Sequence, residues 1–167
     1  MSTNPGREPV HIRHARLADL DAIVRLIADD ESALHDDSPA PEHRAAYARA
    51  FDQIDGDPRN ELFVAEVGDT VVGTFQLTYM PHIFDRGAER AQLEGIFVAT
   101  ASRGRGIGRE MLKFALERAR ARGCRMAQLN SNKSRANAPR FYEAAGFTAS
   151  HEGFKADLQD DTAQEDT

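Results

Sequence analysis

The chain has 167 residues, enough for one ordinary core and too few for two, so one domain is expected. A formal charge of −6, from 21 basic and 27 acidic side chains, without interleaved basic and aromatic runs, argues against a nucleic-acid partner. No apolar run approaches the roughly 20 residues of a membrane span, and Met1 to Pro9 lacks the basic start and apolar stretch of a signal peptide. A cytoplasmic protein without a membrane partner is therefore expected.

Pro5, Gly6 and Pro9 predict a flexible start, after which Val10, Ile12 and His14 alternate as a short strand does. Leu20, Ile23, Val24 and Ile27 recur at helical spacing, with Asp19 and Asp21 in the first turn. The acidic stretch from Asp29 to Pro41 reads as a loop, followed by a helix over 41–54. Residues 61–67 and 70–80 are rich in β-branched and aromatic side chains and are joined by Gly68-Asp69, a turn pair suited to positive φ, so a hairpin is predicted. Residues 81–90 break the pattern. A strand over 91–98 leads into a helix over 103–122, whose Ile107, Met111, Leu112, Ala115 and Ala119 share one face. Gly123 ends that helix, and a strand over 125–130 completes a strand-helix-strand crossover and hence a parallel pair. A short helix over 138–145 stops at Gly146, and residues 147–158 read as a last strand or hairpin. The domain is expected to span 10–158, with tails 1–9 and 159–167 flexible.

The charge is unevenly spread. Arg103, Arg105, Arg109, Lys113, Arg118, Arg120, Arg122 and Arg125 face only Glu110 and Glu117 in their stretch, whereas Asp157 to Thr167 holds acids and no base. A small phosphorylated ligand suits the first region. Cys124 is the single cysteine among six histidines that lack ligand spacing, so no internal disulfide forms and no metal site is expected.

Gly104, Gly106 and Gly108 occupy every second position where the chain turns from strand into helix. Glycine lets a backbone bend sharply and approach a ligand, and a helix's first turn has unpaired N–H groups that donate to phosphate oxygens. Ile107 lies inside this loop, and Arg103, Arg105 and Arg109 add charge. A nucleotide P-loop needs Gly-Lys-Ser/Thr, but Arg109-Glu110 follows Gly108; in a dinucleotide fingerprint the third glycine stands one position later. The competing reading is that the glycines only shape a tight loop beside solvated arginines.

Arg103-x-x-Gly106-x-Gly108 resembles the signature with which the GNAT superfamily of N-acetyltransferases holds the CoA pyrophosphate. Ala138-Pro-Arg-Phe141-Tyr142-Glu-Ala-Ala-Gly146-Phe147 is similar to the family's second motif, in the expected order and separation. The resemblance covers Val10 to about Leu158. It implies an α/β fold (an α+β-like mixed sheet), with an antiparallel amino-terminal half and a parallel strand pair splayed around acetyl-CoA as cosubstrate. It also implies acetyl transfer to a small-molecule amine. Arg135 stands where the family often has a cofactor-contacting asparagine, and Asn137 reads as the cap of the helix carrying Pro139. A homodimer through the last strands is common in the family; the sequence itself carries no oligomeric state.

By this resemblance, the strand ending at Phe97 and Val98 exposes backbone groups to the pantetheine arm, and an N–H near Val98 polarises the thioester carbonyl. Tyr142 stands where the family's proton donor stands; the alternative is a buried aromatic with a bonded hydroxyl. Alternation puts Glu94 on the face of Ile96 and Val98. There it would accept the amine proton or bind a cationic acceptor, or else pair with Arg90 or another base. For the acceptor end, Asp29, Asp30, Glu31, Asp36 and Asp37 form an acidic loop, and His35, Tyr47, His82 and Asn130 are further candidates. Cys124 has no evident activating base, so direct attack in a ternary complex is expected rather than an acetyl-cysteine route. A cofactor-binding sensor without chemistry and a protein amino-terminal or lysine acetyltransferase are the alternatives.

Overall fold

The computed structural model describes residues 8–30, 36–156 and 158. Its elements follow in order: β1 (Val10–His14), α1 (Leu20–Ala28), α2 (Arg44–Asp55), β2 (Asn60–Val67), β3 (Thr70–Pro81), the one-turn α3 (Phe84–Gly87), β4 (Glu89–Val98), α4 (Ile107–Arg122), β5 (Met126–Leu129) and α5 (Ala138–Ala144). The five strands form one sheet in the order β1-β2-β3-β4-β5. All pairs are antiparallel except β4 with β5, which is parallel. The mixed α/β architecture expected from the resemblance is present.

Alternation along β2 and β3 divides the apolar side chains between two faces. Phe63, Ala65, Phe75, Leu77, Tyr79, Ala91 and Leu93 meet Ile107, Met111, Leu112, Ala115 and Ala119 of α4. On the other face Val64 meets Leu20, Ile23 and Val24 of α1 and Phe51 of α2. Leu93 and Leu112 are each 1% exposed, a depth at which truncation to alanine costs about 2–5 kcal/mol. Burial of this kind locks α4 lengthwise along the sheet.

Three boundaries differ from expectation for identifiable reasons. Helix α4 starts at Ile107 rather than 103, because Gly104 and Gly106 adopt positive φ of 73° and 76°, outside the helical region. Strand β4 begins at Glu89, where Pro81↔Glu89 opens its ladder with β3. The expected last strand over 147–158 does not form among the described residues, where 147–156 is irregular. Phe147 reaches the core, but from Thr148 to Lys155 only Ala149 and Phe154 are apolar, too few to build a buried face. Phe154 is 91% exposed.

Among the described residues, no helix is long and apolar enough to cross a membrane, and no cluster of His, Cys, Asp or Glu is suited to a metal ion.

Candidate active site

The parallel ladder between β4 and β5 stops at Leu93↔Leu129, while β4 stays paired with β3 as far as Val98↔Gly73. From Glu94 onward β4 therefore has a neighbour on one side only, and the two strands splay into a cleft. Ala99 N–H donates to the Val72 carbonyl at 2.8 Å. Successive strand amides alternate in direction, so Val98 N–H points away from β3, into the cleft.

Inside this splayed stretch β4 carries a bulge. Thr74 pairs with Phe97 and Gln76 with Glu94, so three steps along β4 match two along β3. Gly95, at φ 59°, supplies the left-handed residue that such a bulge takes. The extra residue corrects the expected position of Glu94. Ile96 and Val98 pack against the α4-side core, as Leu93 does, whereas Glu94, next to Leu93, points to the α1 side. Phe97, paired with Thr74, shares the face of Glu94. Glu94 is exposed and forms no ion pair with Arg90, whose Nε is buried without a hydrogen-bond partner among the described residues. The Arg90 guanidinium instead stands 5.7 Å from the Phe84 ring centroid.

The cleft runs into the amino end of α4. Gly106 is its cap residue in the left-handed region, and the first backbone amide there that donates is Glu110, to the Gly106 carbonyl at 3.1 Å. The amides of residues 104–109 make no backbone hydrogen bond among the described residues, which leaves Ile107, Gly108 and Arg109 as the donors of an anion site. Gly108 serves another purpose than expected. Its φ is ordinary, and a Cβ there would stand 3.0 Å from Cζ of Phe141 and 3.8 Å from Cγ2 of Val98, so its bareness lets α5 close onto α4.

The basic cluster sorts itself along α4. Arg118 binds Glu61, Arg122 binds Glu89 and Arg125 binds Asp85, all toward the carboxyl end. Arg105, Arg109 and Lys113 have no carboxylate partner among the described residues. Arg103 is engaged differently: its Nε donates to the Val98 carbonyl at 3.2 Å and its Nη2 lies 3.5 Å from Oδ1 of Asp30. Oδ2 of the same carboxylate accepts from Nη2 of Arg135. Asp30, 7% exposed, is thus a buried bridge rather than part of a solvated acidic loop.

Tyr142 lies on α5 against the α4-side core, between the rings of Phe141 at 5.2 Å and Phe147 at 6.2 Å. Its hydroxyl has no hydrogen-bond partner among the described residues. Burial pushes its pKa up, with the charge of Arg135 opposing, so the phenol is protonated at neutral pH. Asn137 occupies the cap position of α5, yet its side chain makes no cap hydrogen bond.

The proposed acceptor residues disperse. Glu31 and His35 lie outside the described residues. Tyr47 donates to Asp37 at 2.8 Å and accepts from Ser38 N–H at 3.1 Å, which ties down the loop before α2. Asp29 caps α1, and Asp36 is exposed. His82 follows β3 at its carboxyl end, opposite the splay, with Nδ1 3.2 Å from the Met80 carbonyl; it is not a cleft residue. Asn130 follows β5 at the mouth of the cleft, close to Gly153. Cys124 follows α4 at the far end, and burial and Glu89 push its thiol pKa up, which suits no nucleophile. A polar cavity of about 400 Å³ at that end is lined by His14, Glu61, Arg118 and Arg122, away from the splayed strands. Sequence reasoning missed the bridging role of Asp30, which has no local signal, and the Gly95 bulge, which an isolated glycine inside a strand pattern could have signalled.

The comparisons agree with this geometry. The chain is 28% identical over 140 residues to an aminoalkylphosphonate N-acetyltransferase of Salmonella typhimurium, covering 84% of this chain and 86% of that protein. A solved structure described as a transcriptional regulator from Bacillus halodurans C-125 superposes with TM-score 0.86 at 41% identity, over 90% of this chain and all of that one (100%). The glucosamine-6-phosphate N-acetyltransferase of Arabidopsis thaliana shares the fold, with TM-score 0.74 at 16% identity over 90% of this chain and 99% of that one. The model of the acetyltransferase (GNAT) family matches residues 20–147, and the chain belongs to this family of CoA-dependent N-acetyltransferases.

Proposed function

We propose that the chain transfers an acetyl group from acetyl-CoA to the primary amine of a small molecule or amino-acid-like metabolite, by direct attack while both substrates are bound. The observation that carries this reading is the continuity of the splayed β4–β5 cleft with the free amides at the start of α4. A diphosphate suits those amides, because Gly106 opens the turn and Arg105 and Arg109 lie beside it with no carboxylate partner among the described residues. Strand-edge groups of Glu94 to Val98 would pair with the pantetheine arm.

In this scheme Val98 N–H donates to the thioester oxygen as it gains negative charge. The amine nitrogen bonds to the carbonyl carbon, the carbon–sulfur bond breaks, and Tyr142 gives its proton to the departing sulfur. Glu94 accepts the proton released by the amine, directly or through a water, and both groups re-equilibrate with solvent. Its place on the α1 side puts this proton acceptor opposite the side chains of Ile96 and Val98, which implies that the amine arrives from the α1 and α2 side of the sheet.

CoA release measured across a panel of amines tests the proposal. Aminoalkylphosphonates, amino sugars and amino acids belong in the panel, together with peptides bearing free amino termini or lysines. Turnover on at least one small amine, exceeding that on the peptides, is expected; turnover confined to peptides would transfer the reading to a protein acetyltransferase. A second reading, a cofactor-binding module without chemistry, is favoured by the regulator description of the relative at 41% identity. Tight acetyl-CoA binding with no turnover on any acceptor would select it.

A further inference from the structure

We infer that Asp30 is a positioning residue for the cofactor half of the site, its carboxylate tying the glycine loop through Arg103 to the segment before α5 through Arg135. The inference rests on the reading that the cleft takes acetyl-CoA. Three segments distant in sequence meet at this carboxylate: Asp30 is 73 residues from Arg103 and 105 from Arg135. One lies just after α1, one between β4 and α4, one between β5 and α5. Among the described residues no backbone hydrogen bond joins the two arginine-bearing loops, so the cleft walls they form are connected here by side chains.

The chemistry of the bridge favours ordering over direct ligand contact. A carboxylate with 6% of its side chain exposed is rarely tolerated unless paired. Here its two oxygens are divided between two guanidiniums. Arg103 in turn spends Nε on the Val98 carbonyl, so its planar fork runs from the strand edge to Asp30 as a strut. Without the carboxylate the two like charges would repel across the cleft, and both loops would regain the freedom that the bridge removes. Arg135 then acts on acetyl-CoA through Asp30 and the loop geometry rather than by touching it.

The test uses the full chain with Asp30→Asn, Arg135→Gln, the double variant and Asp30→Glu. Three readouts are taken: hydrogen exchange without ligand of the bonded amides that flank the bridge, Ser102 and Arg103 in one loop and Arg135, Ala136 and Ala138 in the other, calorimetric affinity for acetyl-CoA, and the steady-state constants. Each single neutralising substitution is expected to speed exchange at these amides. Each should also raise Kd and KM for acetyl-CoA about tenfold, as loss of a charged hydrogen bond does, out of proportion to any fall in kcat. The double variant should be no worse than the stronger single, because both remove one bridge, and Asp30→Glu should recover part of the affinity. Wild-type exchange and affinity in Asp30→Asn, or additive losses in the double variant, would overturn the inference. If the wild-type chain takes up no acetyl-CoA, the cofactor reading falls separately, while unchanged loop exchange in the variants still refutes the bridge. Should Asp30→Asn fail to fold, Arg135→Gln carries the same readouts.

Discussion

Glu61 is the hub that fastens the carboxyl half of α4 to the sheet, and its removal has a calculable signature. Its carboxylate accepts from Tyr79 at 2.5 Å, from His14 at 3.1 Å and from the Arg118 guanidinium. Burial alone would raise its pKa, but the hydrogen bonds from Arg118, Tyr79 and His14 overcome this and hold it down to about 2, against an ordinary 4.5. At about 1.4 kcal/mol per tenfold change in proton affinity, this depression sets a ceiling of roughly 3 kcal/mol. Arg118 is 45% exposed, so solvent screening reduces the stabilisation to roughly 2 kcal/mol. Because the folded value is depressed, the stabilisation is complete above pH 4.5 and is lost as pH falls toward 2; at pH 3 about 40% of it remains. Urea unfolding of Glu61→Gln should therefore show a loss of roughly 2 kcal/mol at pH 7 and under half of that at pH 3, with acetyl-CoA affinity unchanged. An equal deficit at both values would refute the argument, since the contribution would then not depend on the charge of Glu61.

Further outcomes concern the cleft. Tyr142→Phe should lower kcat on the order of 10²-fold with little change in the KM for acetyl-CoA; unchanged turnover would remove Tyr142 as proton donor. Burial raises the Tyr142 pKa above its ordinary value of 10.0, with Arg135 opposing, so the alkaline decline of kcat should lie above pH 10 and move higher still in Arg135→Gln. Glu94→Gln should lower kcat on the order of 10²-fold with little change in the KM for acetyl-CoA, and turnover equal to wild type would exclude Glu94 as the base. Gly108→Val crowds Phe141, whose Cζ already lies 3.0 Å from the site of a Cβ, and should reduce turnover about tenfold by displacing α5. Adding Phe141→Ala should restore part of that loss in the same steady-state assay.

Much of the fold was legible because it rests on local patterns. The Gly68-Asp69 turn, the apolar face from Ile107 to Ala119 and the stop at Gly123 each follow from spacing within a few residues. The glycine loop was legible for the same reason, and only its division of labour was not: Gly106 turns the chain, while Gly108 makes room for Phe141, a contact between residues far apart in sequence. Glu94 was placed on the wrong face because alternation assumes an uninterrupted ladder, and the Gly95 bulge is settled by pairing with Thr74 and Gln76. The strand expected over 147–158 failed for want of a buried face to fill. Asp30 looked like one acid among several in a charged loop, and only the tertiary approach of Arg103 and Arg135 distinguishes it from Asp29 and Asp36.

The bulge also determines which kinds of sequence change the enzyme can absorb. Deleting Gly95 would leave two steps on each strand between the Thr74–Phe97 and Gln76–Glu94 pairs, so β4 would come back into step with β3 and every side chain would keep its face. Loss of a residue from the regular ladder before it, such as Gln92, would instead exchange the faces of the residues up to Gly95 and drive Glu94 under α4 among Met111 and Leu112. Point replacements along this strand alter one group at a time, whereas a single-codon loss ahead of the bulge exchanges the two sides of the reaction chamber. Deletion scanning of β4 should therefore find the loss of residue 95 better tolerated than losses at residues 90–93, which should do far more damage than substitutions of the same positions.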